Sequence, residues 1–250
     1  MTPEACEEHL RQLFREFEQA PPAGAPPGPD AALAGLLVHD SHLAAFLHQP
    51  QGILPDVGIS LSCRPPGREE GATTEPPAAG FASATHARAL STFALGPHSP
   101  GGAAGARLHV RIELRPGHLR TRADVLEALR HEAVHVFDAR AVLPAREADV
   151  PGPGGPSPGV AIPCQLAACS EIRACAWTDC RHKIQYAGLL PGGLAEELGA
   201  LERCVRRCAG LAAAGACAHP DLAIRAAWPQ CFLPLGQFLA RAQAQLPTET

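Results

Sequence analysis

Apolar residues first fall at helical spacing near the beginning of the chain. Over residues 4–19, Leu10, Leu13, Phe14 and Phe17 share one face, which predicts an amphipathic helix. The stretch PPAGAPPGPD (residues 21–30) breaks that pattern and reads as a linker. Asp30 is placed to cap a second helix through about Gln49, with Leu33, Leu36, Leu37, Leu43, Phe46 and Leu47 as its apolar residues. A strand is predicted near 57–63. The polar segment 64–80, rich in Pro and Gly, reads as loop.

Residues 107–114, RLHVRIEL, alternate strictly, with Leu108, Val110, Ile112 and Leu114 on one side and polar partners on the other. This is the pattern of a half-buried strand. Thr121-Arg122-Ala123-Asp124 then fits a capping box and opens a helix. Val125, Leu126, Leu129, Val134, Val136 and Phe137 carry its apolar face to about Val142. PGPGGPSPG (151–159) reads as a loop or insertion. Pro163 suits the first turn of a helix over roughly 163–187. Two more helices are expected, about 192–214 and 220–242, the second interrupted at Pro229 and Pro234. The class is α+β, a small N-terminal sheet followed by a predominantly helical C-terminal half. Residues 1–30 form an N-terminal helix and linker, and residues 31–245 a single domain.

Composition narrows this picture. Apolar residues make up 46% and charged residues 18%, enough for a globular core. No run of eighteen uncharged apolar residues occurs, so no transmembrane helix is expected. A net charge of −4 offers no basic face, and no nucleic-acid partner is expected. The N-terminal stretch carries Glu4, Glu7 and Glu8 and no apolar core, unlike a secretory signal or an Arg-rich transit peptide. Ten cysteines are present without a CxxC pair, which argues against a zinc knuckle. They read as buried thiols or as several disulfides, and the latter require an oxidising compartment.

His131-Glu132-Ala133-Val134-His135 is the candidate chemistry. On a helix, positions four apart are about 6 Å apart along the axis and nearly on one face. Two imidazoles there can share one tetrahedral zinc ion, Zn2+. Glu132 lies beside them, where its carboxylate can take a proton from activated water. HExxH occurs by chance, but its place inside a capped apolar helix behind an alternating strand favours the chemical reading. That order is the one a zincin uses, with an edge strand binding the substrate backbone. Zinc needs a third protein ligand, and Asp138, Asp149 and Glu171 are candidates. Glu171, in Cys169-Ser170-Glu171-Ile172-Arg173-Ala174, is preferred as ligand; most helical glutamates are simply solvated or ion-paired. Asp138, one turn past His135, is preferred as an acceptor behind an imidazole. Arg140 and Arg173 are possible partners of these carboxylates. Ser170 has no adjacent base, and His39, His42, His48, His86, His98, His109, His118, His182 and His219 lack ligand spacing. Tyr186 and His182 are weak candidates for an oxyanion donor.

HEAVHVFDAR, then ACSEIRAC about thirty residues on, then Cys180, Cys204-Val205-Arg206 and Cys231-Phe232, form an ordered set across roughly residues 105–240. The set resembles the mitochondrial inner-membrane metallopeptidase family that matures an ATP synthase subunit precursor. That family has an HExxHxFD helix followed by a C(S/T)E(I/V)RA helix and a late CF. The resemblance implies a zinc metalloendopeptidase that is peripheral to the mitochondrial inner membrane on its intermembrane-space side. It implies a polypeptide substrate, the subunit precursor, and a part in ATP synthase assembly. It assigns His131 and His135 as zinc ligands, Glu132 as catalytic base and Glu171 as third ligand. An upstream cysteine cluster of the family is reduced here to Cys63, and residues 144–160 replace a Val-Asp-Trp stretch. The alternative is an assembly chaperone or binding protein whose metal site is not catalytic.

Overall fold

The computed structural model describes residues 1–19, 43, 46, 47, 54, 57–63, 80, 81, 88–96, 107–142, 163–180, 193–214 and 216–232. The expected linker at 21–30, the start of the second helix, residues 64–79 of the loop expected over 64–80, the loop at 151–159, and Asp149, His182, Tyr186 and Pro234 lie outside them, while Gly80 is in a strand and not a loop. The chain divides into two compact units, Met1–Ile162 and Pro163–Thr250.

The first unit holds α1 (Pro3–Gln19), β1 (Val57–Cys63), β2 (Gly80–Phe81), β3 (Ala89–Gly96), β4 (Arg107–Leu114) and α2 (Arg122–Val142). The strands form one sheet in the order β1-β4-β3-β2. β2, β3 and β4 are antiparallel neighbours, and β1 adds in parallel on the far side of β4. β4 is therefore internal, paired on both sides, and the edge-strand role expected of RLHVRIEL does not fall to it. Its alternation is as expected: Leu108, Val110, Ile112 and Leu114 are buried, while His109 and Arg111 are exposed. Glu113 departs from that polar side. It is buried, with its carboxylate 2.9 Å from the Arg111 guanidinium.

The registers align Ala89, Ser91 and Phe93 of β3 with Leu114, Ile112 and Val110 of β4, and Cys63 of β1 with Leu114. These residues share one face of the sheet. α1 is tied to it by the Cys6–Cys63 disulfide and buries Cys6, Leu10 and Leu13. Leu43, Phe46 and Leu47, three of the residues assigned to the second helix, are helical and buried. Phe46 packs on Phe137 of α2, ring centroids 5.2 Å apart.

The second unit consists of α3 (Cys164–Trp177), α4 (Gly193–Ala213) and α5 (Pro220–Cys231). α3 ends ten residues before the position expected from sequence. The Thr178 hydroxyl donates to the Ala174 carbonyl (2.7 Å), and the Cys180 N–H donates to the Cys175 carbonyl (2.9 Å). Both bonds terminate the helix by capturing its last carbonyls. α5 runs through Pro229 instead of breaking there. Pro229 deprives the Arg225 carbonyl of a donor, but both residues are exposed, and water can serve that carbonyl.

The core of this unit joins small side chains (Ala168, Ala176, Ala209, Ala213, Ala227) to Ile172, Leu201, Val205, Ile224, Trp228 and Phe232. Trp228 stacks on Phe232 at 4.1 Å, and the Arg206 guanidinium lies 3.9 Å over the indole, where the ring quadrupole attracts it. Four disulfides cross the unit: Cys164–Cys217, Cys169–Cys231, Cys175–Cys208 and Cys180–Cys204. With Cys6–Cys63 they use all ten cysteines, so the disulfide reading holds and the free-thiol reading does not. Among the described residues, no helix is long and apolar enough to cross a membrane.

Thiol titration of the folded, unreduced protein is expected to find no reactive thiol, and ten after denaturation and reduction. Ten reactive thiols in the native protein would contradict this pairing.

Candidate functional site

The site begins with the start of α2. A single turn at Pro116–His118 follows β4 and leads into Thr121. The Thr121 hydroxyl accepts from the Asp124 N–H (3.2 Å), and the Asp124 carboxylate accepts from the Thr121 N–H (2.9 Å). This is the reciprocal capping box anticipated from sequence. The same carboxylate also accepts from the Arg120 N–H at 2.9 Å. Partial burial pushes the Asp124 carboxyl up, but these backbone bonds, the Thr121 hydroxyl and the Arg88 charge outweigh it and hold the group below its ordinary value. Arg88 also reaches Glu127 of α2 at 3.3 Å, pinning the first turns of the helix to the entry of β3.

From this start α2 carries seven consecutive buried residues, His131 to Phe137. A helix buried on every side normally presents only apolar residues. Here three of the seven are ionisable: His131 (2% exposed), Glu132 (1%) and His135 (0%). The two imidazoles sit one turn apart, as their spacing requires, with ring centroids 4.8 Å apart and planes at 78°. Both rings have other interactions, and the Nε2 atom of each is buried without a hydrogen bond. Glu132 accepts a hydrogen bond from the hydroxyl of Ser91, on β3.

Phe137 of the HExxHxFD pattern belongs to the core. Asp138 is half-buried one turn beyond His135, and Arg140 is half-buried one further step along α2. In the second unit, Glu171 lies on α3 and is buried at 2% exposure, beside the equally buried Ser170. Arg173 is half-buried. The cysteines on either side of Glu171 are bonded, Cys169 to Cys231 and Cys175 to Cys208, which fixes the stretch of α3 that carries the carboxylate. The two buried imidazoles of α2 are donors of the kind a divalent metal ion takes, and within the second unit Glu171 is a buried carboxylate of the same kind. His109, His118 and His219 are exposed and are not among these donors. Asp179 lies beside the Cys175–Cys208 bond, whose sulfurs are already committed to each other.

Ser91, whose hydroxyl bonds the Glu132 carboxylate, is not among the residues singled out from the sequence. Its signal was present in ALSTFALG (89–96), where one hydroxyl interrupts the alternating set Ala89, Ser91, Phe93.

Comparison with protein-family models, with curated proteins and with solved structures gives no match.

The capping box has a testable consequence. Asp124 has a lowered folded pKa, so its contribution is complete above the ordinary value of about 3.8 and is lost as pH falls through the folded value. Thr121→Ala is expected to cost about 1 kcal/mol at neutral pH. Its disadvantage should shrink in strong acid, where the protonated carboxyl no longer serves the cap. Chemical denaturation at both pH values checks this, and equal stability of variant and wild type at neutral pH would contradict it.

Proposed function

We propose that the chain is a zinc metalloendopeptidase of zincin type, in which His131, His135 and Glu171 hold the metal and Glu132 is the catalytic base. The observation that carries the reading is the pair of buried imidazoles at 4.8 Å, on one helix with a buried carboxylate held beside them. A fold that needed only packing would place hydrocarbon at all three positions, because burying ionisable groups is costly. The donors are nitrogen and oxygen, which suits zinc in a three-ligand site that keeps a position open for water or substrate. Every cysteine is in a disulfide, so none offers a thiolate to a metal.

Bound zinc would supply Lewis-acid activation, lowering the pKa of a water toward ~7 and polarising a peptide carbonyl. The chain's own carboxylate does the proton work. Glu132 takes the proton from water as its oxygen bonds to the peptide carbon. It returns that proton to the amide nitrogen as the C–N bond breaks, so that water is consumed and two chain ends form. Backbone pairing with a polypeptide substrate falls to an edge of the sheet, β1 or β2, because β4 is paired on both sides.

The finer reading is that this peptidase matures an ATP synthase subunit precursor, peripherally at the mitochondrial inner membrane on its intermembrane-space side. It rests on the ordered resemblance of HEAVHVFDAR, ACSEIRAC and the late Cys231-Phe232. Five disulfides suit an oxidising compartment. On this reading Asp138 and Arg173 support the ligands without holding the metal.

Two outcomes follow. Zinc competition against a chelator should rank the variants: Asp138→Ala loses roughly 10–100-fold in affinity, whereas His131→Ala and Glu171→Ala each lose more. A larger loss for Asp138→Ala than for Glu171→Ala would exchange their roles. Glu132→Gln should keep stoichiometric zinc and cleave denatured casein and the subunit precursor at least ~10²-fold more slowly. Cleavage by that variant at the wild-type rate would leave an assembly or binding role in place of the peptidase.

A further inference from the structure

Ser91 stands where the sheet calls for a hydrocarbon side chain. On the face that carries α2, its strand neighbours are Ala89 and Phe93, and Leu114, Ile112 and Val110 stand across the ladder. All five neighbours are buried, and Ser91 itself is fully inaccessible. A hydroxyl in such a setting is costly unless bonded, and an alanine or valine there would fill the same alternating pattern. Its hydroxyl instead donates to Oε2 of Glu132, forty-one residues away in sequence.

We propose that Ser91 is a positioning residue for Glu132, orienting the carboxylate that does the proton transfer. This rests on the peptidase reading above. A glutamate has three side-chain torsions, and the last is soft, so a carboxylate at the end of a helix side chain can swing. The β3 backbone is fixed on both sides of Ser91 by its pairing to Ile112 and Phe81. A donor mounted on that backbone holds Oε2 in one direction and thereby sets the plane of the whole carboxylate. Proton transfer between a base and an attacking water is sensitive to displacements of this kind, because the reacting atoms must be aligned before the step. The bond is made to Glu132, which the peptidase reading places outside the ligand set.

The test uses the full chain, zinc-loaded, and three variants. Ser91→Ala removes the hydroxyl. Ser91→Thr and Ser91→Val have nearly the same shape and differ in hydroxyl against methyl. Zinc content should match wild type in all three. With denatured casein as substrate, Ser91→Ala and Ser91→Val should lower kcat by about 10–100-fold with KM within about twofold, and Ser91→Thr should recover most of the rate. Acetohydroxamate gives a reading without turnover, since it chelates the metal and sets its hydroxyl against the neighbouring base. Its affinity should fall about tenfold in the alanine and valine variants and return in the threonine variant. Equal kcat and equal acetohydroxamate affinity in the threonine and valine variants would overturn the assignment, and that pair decides the matter even where Ser91→Ala fails to fold. A wild-type protein that cleaves nothing yet shows the acetohydroxamate difference would remove the peptidase reading while leaving Ser91 as the residue that orients Glu132.

Discussion

A carboxylate and two imidazoles occupy three of five consecutive positions on α2, all of them nearly inaccessible to water. Taking such groups out of water is costly unless each finds a partner, and the surrounding structure is arranged around that constraint. The capping box fixes where the helix begins and therefore which residues face the sheet. The Arg88–Glu127 ion pair holds the next turn, and Phe137 locks the following one against Phe46. The sheet then offers the Ser91 hydroxyl to the carboxylate. Metal binding would complete the account, because an imidazole nitrogen is a common metal ligand and both rings are buried on one helix.

Glu171 is held by a different means. The second unit is built largely from small side chains, which bury little apolar area per residue. Its four disulfides close spans of 24 to 62 residues. In the chain-entropy view each such closure contributes about 3–4 kcal/mol by restricting the unfolded chain. Two of them bracket Glu171 on α3 and keep its carboxylate in place without a large hydrophobic core. An oxidising environment is thus part of how this unit stays folded, and its cysteines belong to the scaffold and not to the chemistry.

Much of this was readable from residues alone where local rules dominate. The limits of β4 and both ends of α2 followed from alternation, capping chemistry and helical spacing, as did the HExxH pair, and a strand was expected near β1. Non-local choices were not readable. Nothing in RLHVRIEL says that β4 takes a neighbour on each side, because alternation reports which face is buried and is silent about edges. β3 is a short run whose buried set includes a serine, so its pattern is weak, and the hydrogen bond that explains the serine spans forty-one residues. The early end of α3 depends on Thr178 turning back to Ala174 and on the bond of Cys180 to Cys204. Pro229 is tolerated inside α5 where it and Arg225, whose carbonyl it deprives of a donor, are both exposed. Ten cysteines allow too many pairings for spacing to choose among them.

X-ray absorption at the zinc edge, on protein loaded with one equivalent of zinc, tests the central claim most directly. Two imidazoles and a carboxylate predict a shell of nitrogen and oxygen at about 2.0–2.2 Å, with the outer scattering of two histidine rings and no sulfur. A sulfur shell at about 2.3 Å, or the absence of imidazole scattering, would place the metal elsewhere and contradict the assignment of His131 and His135.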